Sequence, residues 1–404
     1  MDRKPSDAWP PHTLETRAWK QANRGGTRSD RELRQVTVSL PPLIAARTPH
    51  VSAATSNEVE HALRDIAELD ARHGAQLAAL GVMLLRTESV ASSKIEQVEA
   101  DVADYVRALH GSRANASATA MAAATVALEA LVGSVTDGSA LTKKSLLAAH
   151  RALMRDDLTE ARYAGRVREV QNWIGGRDHS PRGALFVPPP PELVDLYLGD
   201  LIRFANRDDL SALVQAAVAH AQFESIHPFT DGNGRIGRAL VNTVLRRRGF
   251  TRTIVVPLAS ALVARRELYF DLLTQYREGH PEPIVRAFAM SCAIAAQEST
   301  VSAERLALFP EQWREAVGGS RRGSSVDTLL GLLSDNPVLT AERADELVGG
   351  GASTAYRAVA TLVGAGVLRP LLDRTRNQVW GVADLLDEID DLGLRIAVRA
   401  RDAF

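Results

Sequence analysis

The sequence predicts a mainly α-helical protein with one short β-hairpin and a small terminal unit of helices and paired strands. Three observations carry this. Apolar residues recur at helical spacing over most of the chain, most clearly Val59, Leu63, Ile66 and Leu69, then Leu77, Leu80, Leu84 and Leu85. Two short stretches suited to strands, Val170 to Ile174 and Ala184 to Val187, flank the polar turn Gly175 to Gly183. Beyond residue 324, three short helical patterns precede two extended ones.

Taken in order, residues 1–36 are rich in Pro, Gly, Arg and Ser and are expected to be loosely ordered, with Trp9 and Trp19 free to dock on the body. Val36 to Pro42 reads as extended. Residues 37–135 form a helical region that ends in the alanine-rich helix Ala118 to Val132. Residues 136–300 form a core with helices at Leu141–Met154, Leu193–Phe204, Leu210–Phe223 and Ile236–Arg248, the last stopped by Gly249. Four prolines, Pro188 to Pro191, stiffen the entry into the Leu193 helix. Residues 301–323 are a helix and a Gly-rich linker, 324–388 the terminal unit and 389–404 a tail. In the terminal unit, helices are expected at Val326–Ser334, at Thr340–Val348 with Thr340 as N-cap, and at Ser353–Val363 with Gly364 as cap. Strands are expected at Leu368–Leu372 and Gln378–Val382.

A chain of 404 residues suggests two to three domains and can bury a large core. Its formal net charge of -1 supplies no global field toward nucleic acid or acidic membranes. The single cysteine, Cys292, lies among apolar residues; it excludes an intramolecular disulfide and fits a reducing cytoplasm. The first residues are polar, and no uninterrupted apolar span reaches bilayer length, so a cytoplasmic protein without membrane contact is expected.

The run His227-Pro228-Phe229-Thr230-Asp231-Gly232-Asn233-Gly234-Arg235-Ile236-Gly237-Arg238 concentrates groups suited to phosphate chemistry. Gly232 and Gly234 let the backbone approach a ligand closely, and Asn233 adds an amide between them. A Gly-rich turn feeding a helix start aims backbone N–H groups and the positive dipole end at an anion. Arg235 and Arg238 lie three apart on one helix face and can clamp neighbouring phosphates. Asp231 offers a hard oxygen for Mg²⁺. His227 is the one nearby group able to accept a proton near neutral pH.

This run resembles the Fic family motif H-x-F-x-[D/E]-G-N-G-R-x-x-R at every specified position, and the chain is identified as a member of that family. The resemblance implies a helical Fic bundle with a hairpin flap. It implies His227 as general base, Asp231 as Mg²⁺ ligand, Gly232, Asn233 and Gly234 as the α-phosphate cradle, Arg235 and Arg238 as binders of the outer phosphates, and Phe229 as core anchor. The implied reaction moves AMP from ATP to a Ser, Thr or Tyr of a protein target, which can be the enzyme itself, and releases pyrophosphate. UMP or phosphocholine transfer and removal of AMP are the alternatives on the same scaffold.

Upstream, Thr87 to Gln97 resembles the family's inhibitory-helix motif [S/T]-x-x-x-E-[G/N], with Ser92 and Glu96 in the defining places and Gln97 departing from it. The family logic pairs that glutamate with the second motif arginine, here Arg238, in the γ-phosphate's place. On this reading Gly is expected at position 97 for close helix approach. The Trp-Ile-Gly and Phe-Val-Pro-Pro-Pro-Pro-Glu strings resemble the family flap, which implies target contacts by Val170, Asn172, Trp173, Ile174, Phe186 and Val187 through strand addition. Arg265 to Phe270 resembles the segment whose aromatic pair, here Tyr269 and Phe270, lines the adenine pocket.

The terminal unit resembles a winged helix-turn-helix with Ser353 to Val363 in the recognition place. Residues 324–385 hold five Arg against seven Asp and Glu, a net charge of -2, and the third helix offers only Arg357. Phosphate contacts dominate DNA affinity, so DNA binding would need Arg369, Arg374 and Arg376 to cluster on the wing. Protein contact or homodimerisation is favoured. The competing reading outside the enzymes is a transcription regulator whose Fic body senses nucleotide.

Overall fold

A computed structural model describes residues 8–21, 25–72, 77–109, 115–371 and 378–403. In chain order the elements are β1 (Thr13–Ala18), α1 (Arg28–Arg31), β2 (Gln35–Leu40), α2 (Ala53–Arg72), α3 (Leu77–Ile95), α4 (Val102–Leu109), α5 (Ala116–Gly133) and α6 (Lys143–Met154). Then come α7 (Pro191–Ala205), α8 (Ala212–Ile226), α9 (Asn233–Arg247), α10 (Ala259–Ala264), α11 (Arg266–Arg277) and α12 (Glu282–Ala316). The chain ends in α13 (Ser325–Leu332), β3 (Val338–Thr340), α14 (Ala341–Val348), α15 (Ala352–Gly364), β4 (Leu368–Pro370), β5 (Val379–Val382) and α16 (Ala383–Ala403). The mainly helical prediction holds.

The described chain forms two compact units that interleave along the sequence. The first comprises Met1–His61, Val126–Gly249 and Arg265–Met290; the second comprises Ala62–Thr125, Phe250–Ala264 and Ser291–Phe404.

In the first unit, all of α8 is buried and packs along α9. Gly237 makes that approach close, because a Cβ there would overlap the Glu224 carboxylate and press on Phe223. Asp200 on α7 is buried and accepts from the amides of Ile44 and Ala45, at 2.5 and 3.1 Å. The loose order expected for residues 1–36 is corrected by β1, which pairs antiparallel with β2 from Thr13↔Leu40 to Ala18↔Gln35. Almost every β1 residue is exposed, so the strand lacks the apolar alternation that sequence reading relies on. Trp9 does dock, 6.1 Å from Tyr276, and Trp19 sits edge-on to Trp173 at 5.6 Å.

The predicted hairpin is reduced to two isolated antiparallel bridges, Ile174↔Phe186 and Arg177↔Ser180 within it, rather than a continuous ladder. Side chains take backbone carbonyls that a ladder would use: Arg168 donates to the Val170 carbonyl, and Gln171 to those of Asn172 and Pro188.

In the second unit, Glu88 of α3 accepts from the Ala259 amide at the start of α10, at 2.8 Å. Of the stretch expected as a tail, 389–404, the described residues 389–403 are the continuation of α16, whose Leu392, Ile396 and Ala400 are fully buried. Glu388 and Arg395 of α16 meet Ser302, Arg305 and Glu298 of α12, and Trp313 Nε1 donates to Asp384 at 2.7 Å. Strands β3, β5 and β4 form a three-stranded antiparallel sheet in that order. Sequence reading missed β3, which is three residues long. The Thr340 N-cap is present, accepting from the Arg343 amide at 3.1 Å. Gly364, however, is the last residue of α15; the left-handed position that closes the helix falls at Gly366.

Cys292 is buried, and burial pushes its thiol well above the usual range. Contrary to the sequence expectation, α5 is long and apolar enough by length and composition to cross a bilayer, but half of it is buried within the protein.

Candidate active site

Helix α8 stops at His227, which takes a left-handed conformation (φ 50, ψ 62) and donates its amide to the Phe223 carbonyl at 2.9 Å. His is among the residues that tolerate this region best outside glycine. The turn throws the chain off the α8 axis, and the next helix, α9, begins at Asn233 behind Gly232, itself left-handed at φ 76. Between the two left-handed residues lies the whole motif loop.

Three braces fix that loop. Phe229 is fully buried, and the His150 ring stacks on it with centroids 3.7 Å apart and planes 2° from parallel. The Gly165 amide donates to His150 Nδ1 at 3.0 Å, so the proton sits on Nε2, which donates to the Asp231 carbonyl at 3.1 Å. Burial lowers the His150 pKa to about 4, the nearby Arg235 charge acting the same way, so the ring is neutral at physiological pH.

The second brace is Asn233. Its Oδ1 accepts from the Phe229 amide and its Nδ2 donates to the Phe229 carbonyl, both at 2.9 Å. The side chain therefore holds the loop shut and leaves only its backbone amide for a ligand. The third brace is Arg168, 3% exposed, which donates to four carbonyls: His227 from Nε, Val170 from Nη1, and Pro189 and Ile226 from Nη2. Burial pulls its pKa down to about 10. It ties the flap base to the residue that carries the motif imidazole. Asn172 adds a fourth link, donating to the Phe229 carbonyl at 2.9 Å.

The reactive groups sit on this frame. His227 is half-buried; Asp231 points outward, its side chain 55% exposed, with Oδ1 accepting the Gly232 amide at 2.6 Å and Oδ2 3.5 Å from Arg235. Gly234 and Arg238 are buried in the first turns of α9, and Arg235 is 8% exposed. A side chain at Gly232 would meet Leu153, Met154 and His150. Glycine there is required both by φ and by space.

The expected aromatic pair divides. Tyr269 is buried and its hydroxyl lies 2.9 Å from His220 Nε2, while Phe270 is 37% exposed under the Arg266 guanidinium. The flap residues divide as well. Phe186 and Val187 are buried, with Arg277 over the Phe186 ring and the Val187 carbonyl accepting from Ser39. Val170 is exposed, Trp173 and Ile174 are half-buried, and Leu185, which sequence reading did not single out, is 86% exposed.

Ser92 and Glu96 belong to the second unit, at the end of α3. Ser92 is buried and Glu96 is exposed. The Val98 amide donates to the Ser93 carbonyl and the Gln97 amide to the Lys94 carbonyl, both at 3.0 Å. That pair of bonds is the Schellman termination, with Glu96 as C-cap and Gln97 in the left-handed C′ place at φ 61. The reason for Gly or Asn at 97 is thus corrected: it is backbone conformation at a helix end.

Sequence reading missed His150 and Arg168. A histidine on a helix and an arginine before a turn carry no local signal, since their partners lie 81 and 59 residues away.

The Fic/DOC family matches residues 140–245, the stretch that holds α6 through most of α9. The protein adenylyltransferase Fic of Drosophila erecta is 32% identical over 152 residues, 37% of this chain and 27% of that protein. The protein adenylyltransferase fic-1 of Caenorhabditis elegans is 33% identical over 129 residues, 31% of this chain and 22% of that protein. The chain thus spans about a quarter of the length of the curated relatives it matches. A Fic family protein from Desulfovibrio desulfuricans G20 shares the fold with a TM-score of 0.51 at 21% identity, over 83% of this chain and 98% of that one. Fic-1 (aa134 - 508) from C. elegans does so with a TM-score of 0.50 at 19% identity, over 63% and 74%. Residues 140–245, which contain the motif loop and its braces His150 and Arg168, are thus similar to the Fic/DOC family, and the fold is shared with Fic proteins of known structure.

Proposed function

We propose that the chain is a protein adenylyltransferase that moves AMP from ATP to a hydroxyl of a protein. The observation that carries this is the braced loop, which presents His227, the α9 start and Asp231 on one short segment. The target oxygen attacks the α-phosphorus and its proton passes to the His227 imidazole. The bond from that phosphorus to the bridging oxygen breaks, and pyrophosphate leaves. The α9 amides and Arg235 offset the charge that builds on the phosphate oxygens.

Asp231 fits Mg²⁺ brought in on the nucleotide. It is an exposed carboxylate, and one carboxylate plus substrate phosphates is an ordinary Mg²⁺ ligand set. Bound there, the ion would neutralise phosphate charge. Among the described residues, no group of three His, Cys, Asp or Glu could hold a metal alone.

The Ser92–Glu96 motif and the fixed turn behind it support a restraining role for Glu96, so Glu96→Gly should raise transfer. For the terminal unit, protein contact is the reading that charge supports. Arg369 is engaged by Asp387 at 2.6 Å, while Arg374 and Arg376 lie outside the described residues. Sequence-selective duplex binding at physiological salt would overturn it. The test of the main reading is incubation with ATP radiolabelled at the α- or γ-phosphate. Label on protein from the α-position alone supports adenylyl transfer, and label from neither refutes it.

A further inference from the structure

The second unit contains a partly open cavity of about 40 Å³ lined by Arg86, Val90 and Lys94 of α3, Ala100, Tyr105 of α4, Met121 of α5, and Leu386, Ile389 and Asp390 of α16. It holds room for about three waters. Arg86, Val90 and Lys94 are spaced by four and share one face of α3. The Nη1 atom of Arg86 is buried, and among the described residues the guanidinium has no hydrogen-bond or ion-pair partner. The Tyr105 hydroxyl is engaged with Thr125 at 2.8 Å. Burial pulls the Arg86 pKa down and outweighs the opposing influence of Tyr105. A buried cation ordinarily has an anion, and a carboxylate matches the guanidinium fork.

We propose that this cavity binds a short-chain monocarboxylate, its carboxylate on Arg86 and its chain against Val90, Met121, Leu386 and Ile389. The apolar wall disfavours a strongly hydrated dianion. Charge at the mouth points the same way: Lys94 and Asp390 are both exposed there, and Asp390 repels a dianion more than a monoanion. Small volume limits the ligand to the size of acetate. Because α3 also carries Ser92 and Glu96, the ligand should change how firmly that helix end is held, a consequence that rests on the transfer reading above.

Binding is measured by calorimetry on the full chain with acetate, with acetamide and inorganic phosphate as controls. Acetate should bind at least tenfold more tightly than either control, and Arg86→Met should lose that binding. Removing a buried unpaired charge should leave this variant folded, which its thermal transition checks. Equal binding of acetate and acetamide, no acetate binding, or binding retained in Arg86→Met would each overturn the site. Initial transfer rates with and without acetate then read the consequence. A changed rate in wild type but not in Arg86→Met supports it; acetate binding with an unchanged rate overturns the regulatory half while the site stands. A wild type with no transfer defeats the transfer reading alone, since calorimetry still decides the site.

Discussion

The motif loop and the α3 end are both turns built on a non-glycine residue in left-handed conformation, His227 in one and Gln97 in the other. They are held in opposite ways. The loop is pinned from outside by His150, Arg168, Asn172 and Asn233, all donating to or accepting from its backbone. The α3 end is held by its own two backbone bonds. A left-handed non-glycine residue costs about 1–2 kcal/mol, and several distant braces can offset that where two local bonds barely do. On the proposed function, the difference would suit a rigid catalytic loop and an adjustable restraint.

The largest effect should come from the loop. General-base catalysis is typically worth ~10²–10⁴-fold, so His227→Ala should lower transfer by that range while nucleotide binding persists. A rate within a factor of a few of wild type would remove His227 from the chemistry. Next is the brace: His150→Ala deletes a buried stacked ring and two hydrogen bonds and should lower stability by about 2–4 kcal/mol in denaturant unfolding. A loss below about 0.5 kcal/mol would mean that the loop does not depend on it.

The same brace gives a pH signature. The His150 pKa is near 4 when folded and 6.5 in its ordinary state, so below pH 6.5 the unfolded chain binds the extra proton. Its stabilising contribution is complete above 6.5 and is lost as pH falls toward 4, at about 1.4 kcal/mol per pH unit. His12, lowered to about 3 by burial, adds a slope of the same sign. His150→Phe should flatten the wild-type slope over this window; an unchanged slope would contradict the neutral, buried ring. The smallest effect belongs to the other turn. Gln97→Gly relieves the left-handed strain but loosens the unfolded chain, for a net gain of about 0.5–1 kcal/mol. It should also lower wild-type transfer severalfold if Glu96 restrains it, and destabilisation by this change would show that the turn is unstrained.

Legibility followed the range of the interactions. Helices with an apolar stripe, the Thr340 cap and the Gly249 stop were readable because each depends on neighbours within one or two turns. The motif loop was readable as one segment because its residues are consecutive. Its braces His150 and Arg168 were not, and neither was α16, whose buried pairing with α12 joins Glu388 to Ser302 across 86 positions. Strand β1 was hidden by exposure on both faces, and the hairpin was overestimated because Arg168 and Gln171 side chains occupy backbone carbonyls that a ladder would use. Buried Phe186 and Val187 show the same limit, since composition does not say which face of a flap points inward.

The most direct test of the account is intact-mass analysis of a protein mixture incubated with the full chain and ATP carrying a heavy-isotope adenosine, run beside Glu96→Gly and His227→Ala. The account predicts an adenylate-sized adduct on a Ser, Thr or Tyr, more of it with Glu96→Gly and essentially none with His227→Ala. An adduct of any other nucleotide fragment, or equal labelling by the His227→Ala variant, would contradict it.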